Sequence, residues 1–312
     1  MKGNDWKEKV KTIFRLRFLL PVSLGAVLAA VILRIVQLNV AVDFATGFFI
    51  EHSVWVPLLA ALLVLFALYA IGQTACNLFP PVNPYEGHRL KPIGIAAMLL
   101  GVVMIASGFV EILTSAGTGS ATGLLQYLVI LLEIAAGGVF LYQGFLLLQQ
   151  AAEKLQSHVL MLVPAVWSVV SLMVNFIAHT TIAGISEYLF DILFDAAAVL
   201  FLFYFARFTA GLWRKRQEQL MLLFGLLTVM LGAVSTVPPL FCKLFEWNRI
   251  GRRIAFPDFS ALFLTVFVGW CLFLFVQSWL RAESPTPNKQ MPADLDCEYR
   301  YETVGIEGLF QK

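Results

Sequence analysis

The sequence predicts an all-α polytopic membrane protein with about eight transmembrane helices. Of its 312 residues, 59% are apolar and only 13% are charged, and the mean hydropathy is +0.80. Soluble domains carry roughly twice that share of charged residues. Eight apolar stretches, each long enough to cross a hydrocarbon core of about 30 Å, occupy most of the chain. Because lipid offers the backbone no hydrogen bonds, each stretch must form a helix.

The predicted spans follow one another through short connections. The first follows a basic segment and lacks a convincing cleavage site, so we interpret it as an uncleaved anchor. The seventh contains Pro238 and Pro239 near its outer end, where we expect the helix to break or end, because proline removes an amide donor. The eight spans are Phe18 to Val36, Ser53 to Gly72, Pro92 to Leu113, Thr122 to Leu148, Val159 to Ala178, Ile185 to Trp213, Leu220 to Cys242 and Phe259 to Leu280.

The basic residues predict that both termini are cytoplasmic, because cytoplasmic loops carry an excess of lysine and arginine. With the N-terminus inside, seventeen of the 22 lysines and arginines fall on the inner side. Residues 1–17 then form a basic N-terminal segment and residues 18–280 the membrane domain. Residues 281–312 form a tail that is too polar to build a core, and we expect it to be mostly disordered.

Two similarities between the halves of the chain predict a possible 4+4 parallel repeat. The first and fifth spans open alike, with Leu-Leu-Pro ending at Pro21 and Leu-Val-Pro ending at Pro164. The third and seventh spans share a pattern centred on Gly101 and Gly225. Two four-helix halves of the same orientation would be related by an axis along the membrane normal.

Several segments carry a resemblance to known sequences. The run from Thr180 to Asp191, the segment Ala206-Arg207-Phe208 and the segment from Leu222 to Leu227 stand in this order. Together with the acidic outer loop from Val42 to Gly47, this pattern resembles a broad set of uncharacterised eight-helix membrane proteins of Clostridia and related Firmicutes. The resemblance covers residues 15–280 loosely. It implies the eight-helix topology and a bacterial plasma membrane, and it carries no activity.

Charged residues inside the spans mark the candidate site, because each costs of order 3 kcal/mol or more at mid-bilayer. The sixth span holds Glu187, Asp191 and Asp195. A spacing of four places successive carboxyl groups about 40° apart on one helix face, in a ladder that descends to a depth of about 15 Å. Glu133 stands near the middle of the fourth span. At a similar depth, Glu133 and Asp195 would share a proton if they met across the bundle.

The ladder has two interpretations. As a functional element it is a proton or cation path, since carboxyl groups at low dielectric bind and exchange protons. As a structural element it is an ion-pair network that fixes the helix register. The possible basic partners for either arrangement are Arg34, His179, Arg249, Arg252 and Arg253.

We therefore expect a small proton- or cation-coupled transporter-like protein, with a non-catalytic membrane scaffold or sensor subunit as the alternative. A membrane enzyme stands third, because no nucleophile motif, phosphate loop or metal-ligand spacing is present. No cofactor or metal is indicated, and no nucleic acid. The expected partners are the lipid bilayer and anionic lipid at the basic loop from Trp247 to Arg253, while a protein partner is not identified.

Reporter fusions test the predicted topology. The last outer loop is its weakest part, because four of the five predicted outer basic residues lie near or within that loop. We expect fusions after Thr118 and after Phe256 to report an external location. A cytoplasmic signal from either fusion would contradict the eight-span arrangement.

Overall fold

The protein is all-helical in the computed structural model, which describes residues 16–41, 53–76, 90–118, 124–149, 160–180, 185–209, 217–245 and 258–283. Eight helices in these ranges are long and apolar enough to cross a membrane, so the predicted fold class is confirmed. A 3₁₀ turn, Leu160–Leu162, precedes the fifth. The helices are α1 Leu16–Val40, α2 Trp55–Cys76, α3 Leu90–Thr118, α4 Leu124–Leu148, α5 Val163–Thr180, α6 Ile185–Thr209, α7 Gln217–Leu244 and α8 Phe259–Glu283.

The predicted break at the two prolines is wrong. Helix α7 continues through Pro238 and Pro239 to Leu244. The prolines remove the amide donors that Val234 and Ser235 would otherwise meet one turn back, but membrane helices tolerate this loss where neighbouring groups compensate. We infer that burial between other helices holds this segment helical, since Pro238 itself is buried.

Helices α7 and α8 form the centre of the bundle. They are the most buried of the eight, whereas α1 and α2 are the least buried. Helix α7 packs against α6, α8, α1 and α2, and α8 also packs against α3. Large apolar side chains such as Leu24, Leu65 and Leu113 point out of the bundle. This arrangement suits a protein surrounded by lipid, where an exposed leucine costs nothing.

Helices α3 and α4 make the closest contact in the bundle, through glycines. A Cβ added at Gly101 would lie 2.6 Å from the Gly137 carbonyl oxygen, and one at Gly94 would lie 2.9 Å from that of Gly144. Gly108 is equally close to Ile134. Because the α3 glycines recur every seven residues, they form one stripe that lets the two backbones touch. Small residues inside the spans predict close helix approach at Gly101, Gly108, Gly137 and Gly138. The structure confirms this at the first three, and the prediction is wrong at Gly138, where no atom lies within 4 Å of an added Cβ.

An aromatic layer fills the middle of the bundle. The Phe267 ring of α8 meets the Phe140 ring of α4 edge-on at 5.3 Å and the Phe205 ring of α6 edge-on at 5.7 Å. Phe201 stacks on Phe205 one turn away, at 5.7 Å. All four side chains are buried. We call Phe140, Phe201, Phe205 and Phe267 the phenylalanine layer.

The two halves of the chain pack differently. Helix α6 packs extensively on α7, whereas α2 packs on α1 and α7 and has little contact with α3. In a parallel repeat these two pairs would correspond to one another. The 4+4 repeat therefore stays a prediction that these helix contacts do not strengthen.

Adjacent glycines on α4 provide a matched test of the α3–α4 contact. Gly137→Ala should destabilise the protein by about 1–3 kcal/mol, because its methyl group would press on the Gly101 carbonyl and on Ile105. Gly138→Ala should be neutral or stabilising by up to about 1 kcal/mol, since no atom lies within 4 Å of its added Cβ. Thermal unfolding in detergent measures both. Equal effects would contradict the close contact.

Candidate functional site

Four carboxyl groups stand in the half of the bundle that the predicted orientation places outside. They are Glu133 on α4, Asp191 and Asp195 on α6, and Asp258 immediately before α8. We call these four residues the outer carboxyl cluster. Glu133 lies nine residues from the start of its helix, or about 13 Å along it. The phenylalanine layer lies about 10 Å further in, since Phe140 follows Glu133 by seven residues.

Glu133 is buried, with 6% of its surface exposed, and receives hydroxyl donors from two other helices. The Ser260 Oγ donates to Glu133 Oε1 at 2.6 Å. The Ser107 hydroxyl of α3 also hydrogen-bonds to the Glu133 carboxyl group. Three helices, α3, α4 and α8, therefore meet at this one side chain.

The two aspartates of α6 turn toward different neighbours. Asp195 Oδ2 accepts a hydrogen bond from Asn175 Nδ2 of α5 at 2.7 Å. Asp191 Oδ1 accepts one from the Ser235 hydroxyl of α7. Gly232 stands one turn inward of Ser235 and lets α7 approach Phe194 of α6 closely. The predicted ladder thus joins α6 to α5 at one carboxyl group and to α7 at the other.

Asp258 caps the N-terminus of α8. Its Oδ1 accepts the Ser260 backbone N–H at 2.8 Å, the usual arrangement of an aspartate N-cap. The Asp258 carboxyl group also acts electrostatically on both Glu133 and Asp195. Asp258 therefore lies within electrostatic range of a carboxyl group on α4 and of one on α6.

A neighbouring pair extends the polar contacts toward the ends of α3 and α4. Gln126 Nε2 donates to Glu111 Oε1 at 2.9 Å. The Glu111 carboxyl group acts on Glu133 and on Asp258 electrostatically. Glu111 is half-buried, and its hydrogen bond to Gln126 joins the outer part of α3 to α4.

Arg34, a predicted partner of the ladder, is buried on α1 with 6% of its surface exposed. Its Nη1 donates to Gln37 Oε1 at 3.0 Å, and its guanidinium lies 4.9 Å from the centroid of the Phe190 ring. Phe190 directly precedes Asp191, so the arginine stands beside the ladder. The other predicted participants lie outside the described side chains: Glu187, His179, Arg249, Arg252 and Arg253.

Neutral groups supply the hydrogen bonds to Glu133 and Asp195. Glu133 is bound by serine hydroxyls and Asp195 by an amide. Across the part of the chain that the structure describes, no lysine, arginine or histidine contacts either carboxyl group, and no group of three potential metal ligands is found. A carboxyl group in such surroundings avoids the cost of an isolated buried charge by holding a proton or a cation.

The predicted meeting of Glu133 and Asp195 is not made by direct hydrogen bonding. Within the described ranges no hydrogen bond joins the two carboxyl groups, and each has its own donor. They share an electrostatic neighbour, because Asp258 acts on both. The sharing of one proton between them stays a prediction.

Asn175, Asp258 and Ser260 are not among the site residues that the sequence predicts. Asn175 is an amide inside an apolar span, and its cost at membrane depth was a usable signal. Asp258 and Ser260 open the eighth span with the residue types of a helix cap, which was a second signal. Which acid each donor meets depends on helix packing and has no local sequence signal.

Comparisons with known proteins add no relative. The chain matches no family model, no curated protein and no solved structure. The helices and the side-chain contacts described above are therefore the basis of the functional argument.

A double-mutant cycle tests the Asn175–Asp195 contact. Asn175→Ala and Asp195→Ala should show a coupling energy of about 0.5–2 kcal/mol in unfolding free energy, because they remove the two ends of one hydrogen bond. Asn175→Ala combined with Glu133→Ala should be additive, since these side chains share no hydrogen bond. Chemical denaturation in detergent micelles measures both cycles. Additivity in the first cycle would contradict the contact.

Proposed function

We propose that this multi-pass membrane protein is a small proton- or cation-coupled transporter whose coupling groups are Glu133, Asp191 and Asp195. The observation that carries the proposal is the pairing of Glu133 and Asp195 with neutral donors at membrane depth. A serine hydroxyl or an amide serves a neutral carboxyl group as well as an ionised one, since each can meet either form. Both protonation states are therefore accommodated without breaking an ion pair.

Protons fit this site better than divalent metal ions. A metal site would bring several carboxylate or imidazole ligands together around one point. Glu133 and Asp195 instead accept hydrogen bonds from separate donors on different helices, Ser260 on α8 and Asn175 on α5. We infer that each carboxyl group binds its own proton, or in turn a monovalent cation.

The phenylalanine layer supports a transport cycle in which the site is open to one side at a time. The four acids lie on the predicted outer side of the layer, and the Phe140–Phe267 and Phe205–Phe267 contacts form a packed, buried barrier on their inner side. Release of a proton to the inner side would require these rings to separate. Such alternation is the general behaviour of coupled transporters.

A second candidate function, a membrane scaffold or sensor subunit, has its own support. The same hydrogen bonds tie α4 to α8, α6 to α5 and α6 to α7. In that case the carboxyl groups fix the arrangement of helices and carry no proton during function. Partner binding would then occur elsewhere, and recovery of the protein alone after crosslinking in native membranes would count against a scaffold.

The cellular setting is also a proposal. We place the protein in a bacterial plasma membrane, following the resemblance to eight-helix proteins of Clostridia. We further propose that anionic lipid binds Arg249, Arg252 and Arg253 in the last loop, which lies outside the described residues.

Flux measurements in proteoliposomes test the transport proposal. With an imposed pH gradient and a membrane potential, the purified protein should move protons or a monovalent cation. Asp195→Asn and Glu133→Gln should each lower the flux about 100-fold or more, the usual scale for loss of an essential acid or base. Neither substitution changes the side-chain volume much, so folding should be retained.

Glu218→Gln is the matched control, because Glu218 lies in the first turn of α7 at the opposite end of the bundle. Its flux should stay close to wild type. Absence of flux from correctly folded protein, or full flux in both cluster variants, would contradict the transporter and leave the scaffold.

A further inference from the structure

Ser260 occupies a position between two carboxyl groups of unequal exposure. Its side chain is fully buried, at 0% exposure, while Glu133 is buried and Asp258 is exposed. The Ser260 hydroxyl donates to Glu133 Oε1 at 2.6 Å, and the backbone N–H of the same residue donates to Asp258 Oδ1 at 2.8 Å. Ser260 therefore contacts both carboxyl groups, and its hydroxyl lies beside the route between them.

The cap of α8 fixes this geometry. Asp258 accepts the Ser260 backbone N–H at 2.8 Å, and the Leu262 N–H donates to the Asp258 carbonyl at 3.1 Å. These bonds set the first turn of the helix and hence the place of the Ser260 side chain. The hydroxyl is held by the same residue with which it would exchange a proton.

We propose that the Ser260 hydroxyl relays protons between the buried Glu133 carboxyl group and Asp258 at the outer surface. The inference deepens the proposed transport function and rests on it for its role in the cell. In the transfer, the Asp258 carboxylic acid gives its proton to Ser260 Oγ. The Ser260 hydroxyl proton passes to the Glu133 carboxylate at the same time. Asp258 is left ionised, Glu133 is neutral, and the serine is unchanged.

Among the described residues, the other titratable groups around Glu133 offer its proton no shorter route to the surface. Helix α3 brings Glu111, which hydrogen-bonds to Gln126, and helix α8 brings only Asp258. The charged or titratable residue of α5 is His179, whose side chain lies outside those described. Among the described hydrogen-bond partners of Glu133, Ser260 is the residue that also contacts an exposed acid, through its backbone N–H.

Time-resolved infrared spectroscopy after a pH jump measures the exchange directly. The full-length protein in nanodiscs gives a carboxylic acid C=O band that Glu133→Gln assigns by removing it. Ser260→Ala should slow the rise of this band at least about tenfold, since a relaying group is lost. Ser260→Thr keeps a hydroxyl and should restore a rate close to wild type.

Asp258→Asn separates proton relay from helix capping. Asparagine caps a helix as well as aspartate does but cannot titrate, so the exchange should slow while the melting temperature holds. Ser278→Ala is the control on α8, because that hydroxyl bonds to the Phe275 carbonyl of its own helix. Wild-type exchange rates in both Ser260→Ala and Asp258→Asn would overturn the proposal. If Ser260→Ala fails to fold, the threonine and asparagine variants decide alone.

The infrared result and the flux result can fail separately. Slow exchange in Ser260→Ala combined with no flux in wild-type liposomes would support the relay and remove the transporter. A normal exchange rate in Ser260→Ala, combined with wild-type flux that is lost in Asp195→Asn, would remove the relay and support the transporter.

Discussion

A carboxyl group inside a membrane must find its hydrogen bonds within the protein, and this requirement organises the outer half of the bundle. Glu133 is buried and Asp195 is partly buried, and other helices bring hydrogen-bond donors to both. Ser260 comes from α8 and Asn175 from α5. These bonds join α4 to α8 and α6 to α5. A change in the protonation of either carboxyl group would alter the strength of its bond, which is the physical basis of the coupling that we propose.

Two apolar contacts, the α3–α4 glycine contact and the phenylalanine layer, pack the helices that carry these hydrogen bonds. The glycine stripe of α3 lets its backbone contact that of α4, the helix that carries Glu133. The phenylalanine layer closes the centre below the acids. Since α4, α6 and α8 each contribute a ring, movement of any one of them would open the layer.

The sequence predicted the framework well and the site in part. Eight helices follow from length and hydropathy, because lipid permits no other backbone arrangement for such runs. Glu133, Asp191 and Asp195 stood out because charge at membrane depth is costly. The donors did not stand out, since the partner of Asp195 depends on how α5 packs beside α6. The break predicted at Pro238 and Pro239 is absent, because proline ends helices in water more readily than between packed neighbours.

The protonation of Glu133 and Asp195 in a lipid bilayer is the central claim, and carboxyl carbon chemical shifts from solid-state NMR measure it most directly. Resonances would be assigned with Glu133→Gln and Asp195→Asn. The account predicts that both carboxyl groups change between the neutral and the ionised shift within the pH range in which the protein folds. Carboxyl groups that keep one protonation state throughout that range would contradict it and would make the hydrogen bonds purely structural.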